Sequence, residues 1–326
     1  MPVAIVFLLA MVVLAVASIQ VKKAEIAVIY LGIFSLFNAI VYLFYSAPDL
    51  SLAEAVIGSA LATALFLAAI KGYNLRRTRI KSEYTLTRSL KMRLAHYGEL
   101  FWGVIFLAVG FIVVSSYFGT VQDVGKPAWD YYVRSFISDT GAHNAVTAIY
   151  LNYRVFDTLF EALLLLVCIL ATAYFLESPG RKEPKEEIAA KPDSEIVARI
   201  SGLLYPFILL YGFYIIVNGH LTPGGGFQGG AILASVFIIR YFAQRRLDID
   251  IFILQRLEKS FFLGITALSM LLLLPEFMNS DLKVFHLVLM NILIGFKVCC
   301  GLTILFFCFI FQQTRDEDTK GRSERG

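Results

Sequence analysis

Long apolar runs, separated by short polar and basic stretches, fill most of this chain. A helix needs about 20 mostly apolar residues to cross the hydrocarbon core of a bilayer. Runs of that kind fall at 3–20, 26–47, 50–70, 100–118, 155–176, 200–219, 223–239, 260–275 and 284–311. They predict an all-α, polytopic membrane protein with about nine transmembrane helices. The first and eighth runs are short, and the ninth is long enough to tilt or to continue past the membrane.

The positive residues orient this ladder. Placing the amino terminus outside puts the basic clusters in alternate connections, as the positive-inside rule requires. Those clusters are Lys22 and Lys23, then the groups within 71–93, 181–199, 240–259 and 315–325, so the carboxy terminus is expected in the cytoplasm. A cleaved signal peptide is the alternative for the first run, with Ala15-Val16-Ala17 as a passable cleavage site. No Lys or Arg precedes that apolar core, however, and a basic pair follows it, which favours a retained helix.

Composition excludes several function classes. Hydrophobic residues make up 58% of the 326 positions and charged residues 17%, too lopsided for an ordinary soluble enzyme. The net charge of +4 reflects the basic loops, and no basic groove with interleaved aromatics suggests nucleic acid. Cys168, Cys299, Cys300 and Cys308 all lie in apolar runs without metal-ligand spacing. No histidine pair is placed to ligate haem across the core, and no glycine motif follows a strand to hold phosphate. No cofactor, no resident metal beyond transiently held sodium and no catalytic site of the chain's own are expected.

Two charged, breaker-rich connections, at 71–99 and 177–199, split the chain into groups of three, two and four predicted helices. The corresponding units are 1–98, 99–178 and 200–326, with 179–199 as a cytoplasmic linker. The outer loop 119–154 carries Trp129, Tyr131, Tyr132, Tyr150 and Tyr153, which suit a segment lying at the membrane interface.

The candidate chemistry rests on the few ionisable residues inside apolar runs: Glu54, Asp157, Glu161 and Lys297. A charge at the bilayer centre costs roughly 2.5–3.5 kcal/mol on insertion scales, so one retained there points to an ion path or a partner charge. Glu54 lies over a turn beyond Pro48 and Asp49, among Ala, Val, Ile and Leu, a setting suited to alternating proton and sodium occupancy. A hydrogen bond to a neighbouring helix is the alternative. Asp49 stands near a helix amino terminus, where its charge is favoured locally. Asp157 and Glu161, four apart, share one helix face, and Arg154 is placed to pair with Asp157. Lys297 sits too deep to snorkel easily and calls for an acid, expected to be Glu54, Glu161 or an acid of another subunit.

Another constellation is His220, Pro223, Gly224, Gly225, Gly226, Gly229 and Gly230. Pro223 suits the first turn of the seventh helix. The glycines form two overlaid small-xxx-small pairs, 225 with 229 and 226 with 230, which predict close helix packing. Exposed backbone groups beside His220 offer the alternative of an ion entrance.

These stretches carry a resemblance. Ala47-Pro48-Asp49-Leu50-Ser51-Leu52-Ala53-Glu54-Ala55 resembles the three-helix MbhD protein, also found in the carboxy-terminal part of MrpA. His143-Asn144 with Tyr150 through Glu161 resembles the adjoining two-helix MbhE-like unit, with Val155 and Phe160 where that family has glycines. The segment from Gly219 to Gly230 is similar to the MrpB (MnhB, MbhF) signature. The resemblance implies a fused subunit of a multi-subunit Mrp-type sodium/proton antiporter in the plasma membrane. Its expected partners are other Mrp/Mbh-type subunits, including the large antiporter-like ones, together with sodium, protons and lipid. The resemblance places Glu54, Asp157 and Glu161 on the ion path. It also implies an alternative, the same module in a redox-driven membrane-bound hydrogenase or sulfane reductase; a scaffold without its own path is a further competing reading.

Overall fold

The computed structural model describes residues 2–70, 127–175, 195–244, 250–272 and 280–323. The predicted span at 100–118 and most of both charged connections lie outside the described residues. Residues Met1–Gly72 and Ser135–Gly326 form one compact unit, and Tyr73–Arg134 forms another.

The described elements are helical throughout. They are α1 (Pro2–Gln20), α2 (Ala24–Phe44), α3 (Pro48–Ala53), α4 (Pro127–Thr140), α5 (Ala145–Ala148), α6 (Val155–Phe175), α7 (Glu195–Val217), α8 (Gly226–Gln244), α9 (Ile251–Leu271) and α10 (Ser280–Ser323). Among the described residues, five stretches are long and apolar enough to cross a membrane: Ala24–Phe44, Pro48–Ile70, Val155–Phe175, Ala198–Val217 and Leu282–Ile310. Trp129 and Tyr131 on α4 are exposed.

Helix α10 packs against α6, α7, α8 and α9, while α1 packs on α2. Leu287, Met290, Ile294 and Val298 recur at helical spacing on α10 and meet Leu151, Val155 and Ile265. Further along, Ile304, Phe306, Phe307 and Ile310 meet Leu61, Ala231, Ile238 and Ile251. Lipid tails are as apolar as these side chains, so close packing rather than water exclusion holds such helices together. The glycines of α8 supply that closeness on two sides. A Cβ at Gly230 would stand 2.5 Å from the Gly295 carbonyl oxygen on α10, and one at Gly229 would stand 2.9 Å from the Gly212 carbonyl oxygen on α7. The two overlaid small-residue pairs therefore serve two different neighbours. Pro223 is an exposed turn residue, and α8 begins only at Gly226, because Gly224 and Gly225 have φ of +139° and +147°. Those angles are incompatible with a right-handed helix, which corrects the expectation of Pro223 in the first turn.

Two π-helical segments interrupt the α-helices: Glu54–Leu61, which continues α3, and Ile149–Tyr153, which joins α5 towards α6. A widened turn weakens the normal backbone ladder, and local hydroxyls serve its carbonyls. Ser59 Oγ donates to the Ala55 oxygen at 2.6 Å and Thr158 Oγ1 to the Tyr150 oxygen at 2.5 Å.

A buried polar joint ties remote segments together. Asp49 is buried, and its Oδ1 accepts from the Gly224 N–H at 2.8 Å and from Asn144 Nδ2 at 3.1 Å. Asn144 Nδ2 also reaches the carbonyls of Gly219 and Thr222 at 3.1 and 3.0 Å. The His143 and Asn144 N–H groups both donate to the His220 oxygen, and Thr147 Oγ1 donates to the Gly219 oxygen at 2.6 Å. Asn291 on α10 completes the joint, its Oδ1 accepting from Tyr150 Oη and the Gly226 N–H, each at 3.0 Å. Tyr150 thus serves the interior rather than the expected interface. Asp49 does stand in the first turn of α3, yet its carboxylate serves distant backbone rather than its own helix end.

Replacing Asp49 with Ala orphans the buried Gly224 N–H, while Asn144 keeps two carbonyl acceptors, and is expected to destabilise by roughly 1–3 kcal/mol. Asp49→Asn retains an oxygen acceptor and is expected to lose less than half as much, both read by thermal unfolding in detergent. Gly230→Ala is expected to cost about 1–3 kcal/mol by overpacking. Gly202→Ala, whose Cβ meets nothing within 4 Å, is expected to be neutral in the same assay.

Candidate functional site

Among the described residues, the buried or lipid-facing acids other than Asp49, together with Lys297, fall in three settings. The first is Glu54, at the start of the π-helical segment. Its Oε1 accepts a hydrogen bond from the hydroxyl of Ser35, a buried residue of α2. The close approach depends on Gly58, since a Cβ there would stand 2.7 Å from Glu54 Oε1 and would also strike Ser35 Oγ. A hydroxyl that donates to a carboxylate leaves the other carboxylate oxygen available for a proton or cation.

The second setting is the outer face of α6. Asp157 and Glu161 share a face, as their spacing predicts, and both are exposed among the described residues. Arg154 pairs with Asp157 at 2.5 Å, with both side chains more than half exposed. An exposed pair of this kind contributes little to stability. The adjoining outward residues Phe156, Phe160 and Leu164 are apolar and exposed, so two acids interrupt an otherwise lipid-like surface.

The third setting is the α9–α10 contact. Lys297 is fully buried, and its Nζ lies 2.7 Å from Glu258 Oε1, itself in a residue only 1% exposed. At that distance an ammonium and a carboxylate attract strongly as opposite charges in contact. The Phe262 ring centroid lies 5.9 Å from Nζ and adds a weaker attraction of the same sign. The expected partners of Lys297, Glu54 and Glu161, are therefore replaced by an acid that sequence reading assigned to a cytoplasmic connection. Glu258 sits between Arg256 and Lys259 in sequence, which reads locally as a solvated surface. Helical phase separates them: Ile251, Glu258, Ile265 and Ser269 form the buried stripe of α9, while Arg256 and Lys259 point away from it. The seven-residue steps of that stripe were the signal that marks Glu258 as internal.

The remaining candidates belong to the polar joint. Gly224 and Gly226 donate their N–H groups to Asp49 and Asn291, and Gly225 lies against the Tyr150 hydroxyl, where a Cβ would overlap it. His220 is buried, its carbonyl caps the His143–Asn144 turn, and its Nδ1 lies 3.1 Å from the Val217 oxygen. These contacts place the glycine segment in packing. Among the described residues, no group of three or more His, Cys, Asp or Glu side chains is placed to hold a metal ion.

Comparison with known proteins matches both ends of this arrangement. Residues 9–74 match the MbhD family of MBH proteins, and residues 196–307 match the domain related to the MnhB subunit of Na+/H+ antiporter. A probable K(+)/H(+) antiporter A/B protein of Rhizobium meliloti is 24% identical over 246 residues, which are 68% of this chain and 24% of that protein. A chain of the membrane-bound sulfane sulfur reductase, an archaeal respiratory membrane complex, is 27% identical with a TM-score of 0.51, over 64% of this chain and 96% of that one. A chain of the Mrp complex from Dietzia sp. DQ12-45-1b shares the fold with a TM-score of 0.65 at 20% identity, over 92% of this chain and 34% of that one. The chain spans less than half the length of the curated relatives it matches. With its apolar helices and its two family matches in one polypeptide, this multi-pass membrane protein belongs to the Mrp/Mbh family as a fused subunit, in which an MbhD-type domain precedes an MnhB-related one.

Proposed function

We propose that the chain is a membrane subunit of a multi-subunit Mrp-type cation/proton antiporter, and that Glu54, Asp157 and Glu161 line its sodium and proton path. The observation that carries the reading is the retention of carboxylates in helices that are otherwise apolar, above all Glu54 held by the Ser35 hydroxyl. Each carboxylate exchanges a proton for a cation, and the membrane potential biases the exchange by about 2.3 kcal/mol per charge per 100 mV. Asp157 and Glu161 lie on an outward face, which suits a companion subunit that covers them and continues the path. The similarity to a probable K(+)/H(+) antiporter protein supports this assignment and leaves the choice of sodium or potassium to experiment. The plasma membrane is the proposed location.

The likeness to a chain of a sulfane sulfur reductase favours a second reading, in which the same module serves a redox-driven assembly. Purifying the native assembly separates the two. Companion chains limited to antiporter-type subunits support the first, and an iron–sulfur or nickel–iron subunit supports the second.

In inside-out vesicles bearing the intact assembly, Glu54→Gln and Glu161→Gln are each expected to slow cation-dependent collapse of the pH gradient by about tenfold or more, because a proton-transfer group is worth at least that. Assembly, followed by co-purification, is expected to persist. Unchanged exchange in both variants would leave the chain a scaffold.

A further inference from the structure

We propose that Glu258 and Lys297 form a proton-relay pair buried at the α9–α10 contact, the MnhB-related domain's own share of the ion path. The inference rests on the reading that the assembly exchanges cations for protons. Lys297 stands at the middle of the span Leu282–Ile310, about 20 Å from either end at 1.5 Å per residue. That distance is several times the reach of a lysine side chain, so its charge has no route to the interface. Glu258 and Lys297 come from different helices, are 1% and 0% exposed, and meet at 2.7 Å.

Geometry separates this pair from a simple structural clamp. An ammonium group carries three N–H donors, and among the described residues Lys297 Nζ meets one carboxylate oxygen, that of Glu258. A clamp built for stability serves its donors fully, since a half-satisfied buried charge is weaker than apolar packing. The groups facing the pair are few. Cys300 lies one turn on along α10, Phe262 one turn on along α9, and α6 presents Leu165 and Ile169 near Gly301. No further charge among these holds the pair in one state. The pair also connects to the polar joint, because Asn291 lies six residues back on the same helix, about 9 Å along its axis.

The relay step conserves protons and charge. The Lys297 ammonium releases one proton towards one side of the membrane, leaving an amine beside the Glu258 carboxylate. The uncompensated negative charge in this dry setting then draws one proton from the opposite side. That proton restores the ammonium, and one proton has crossed the pair.

The test uses the complete assembly in inside-out vesicles from cells lacking other cation/proton antiporters, with sodium and then potassium added against a preset pH gradient. A Glu258→Met, Lys297→Met double variant removes both charges together, a change that buried pairs often tolerate without loss of stability. It is expected to co-purify with its companions and to exchange at least about tenfold more slowly. Lys297→Arg supplies a second readout, because a guanidinium keeps the ion pair yet does not give up its proton. It is expected to assemble and to lose exchange to the same degree. Exchange within about twofold of the parent in either assembled variant overturns the relay, as a structural pair predicts. Absence of exchange in the parent assembly itself instead overturns the antiporter reading.

Discussion

A membrane interior gives polar groups no water to bond, so each one buried there has to find its partner within the protein. Asp49 is where that constraint organises this chain. One carboxylate oxygen accepts from Asn144, 95 residues away, and from the Gly224 N–H, 175 residues away. The bond to Gly224 fixes the strained turn before α8. The glycines that follow then bring α8 against α7 and α10, and Asn291 on α10 closes the arrangement through Gly226 and Tyr150. Placement of α10 in turn sets Lys297 opposite Glu258.

Much of this was legible in the sequence, for identifiable reasons. Apolar runs report helices because lipid tolerates little else, and the small-residue spacing of 225–230 reports close packing because only glycine lets two backbones approach. The burial of Lys297 followed from its distance to either end of its run. Its partner did not follow, because Glu258 is flanked by basic residues and lies at the polar end of a helix. Local charge was read there where helical phase decides. Asp49 was read by its position in the first helical turn, whereas its bonds go to residues with no sequence proximity. The π-helical turns at Glu54 and Ile149 have no periodic signature in sequence; they depend on tertiary contacts such as that between Ser35 and Glu54.

The ionisable residues fall into a division of labour that composition alone does not show. Asp49 binds two donors through one oxygen and ties remote segments together. Glu54 has one hydroxyl donor beside a widened turn, Asp157 and Glu161 face outward, and Glu258 with Lys297 neutralise each other inside. The last three are the settings proposed to serve a moving ion. The relatives by sequence and by structure are named for antiport and for a respiratory membrane complex.

The most direct measurement is proton movement in proteoliposomes containing the purified assembly, with residues 54, 157 and 161 all changed to their amides in one preparation and unchanged in another. Imposing a sodium or potassium gradient on the unchanged assembly is predicted to drive a counterflow of protons, and the triple-amide assembly is predicted to show none above the lipid leak. Equal proton flow in the two preparations, with the same companion chains present, would contradict an ion path through these carboxylates.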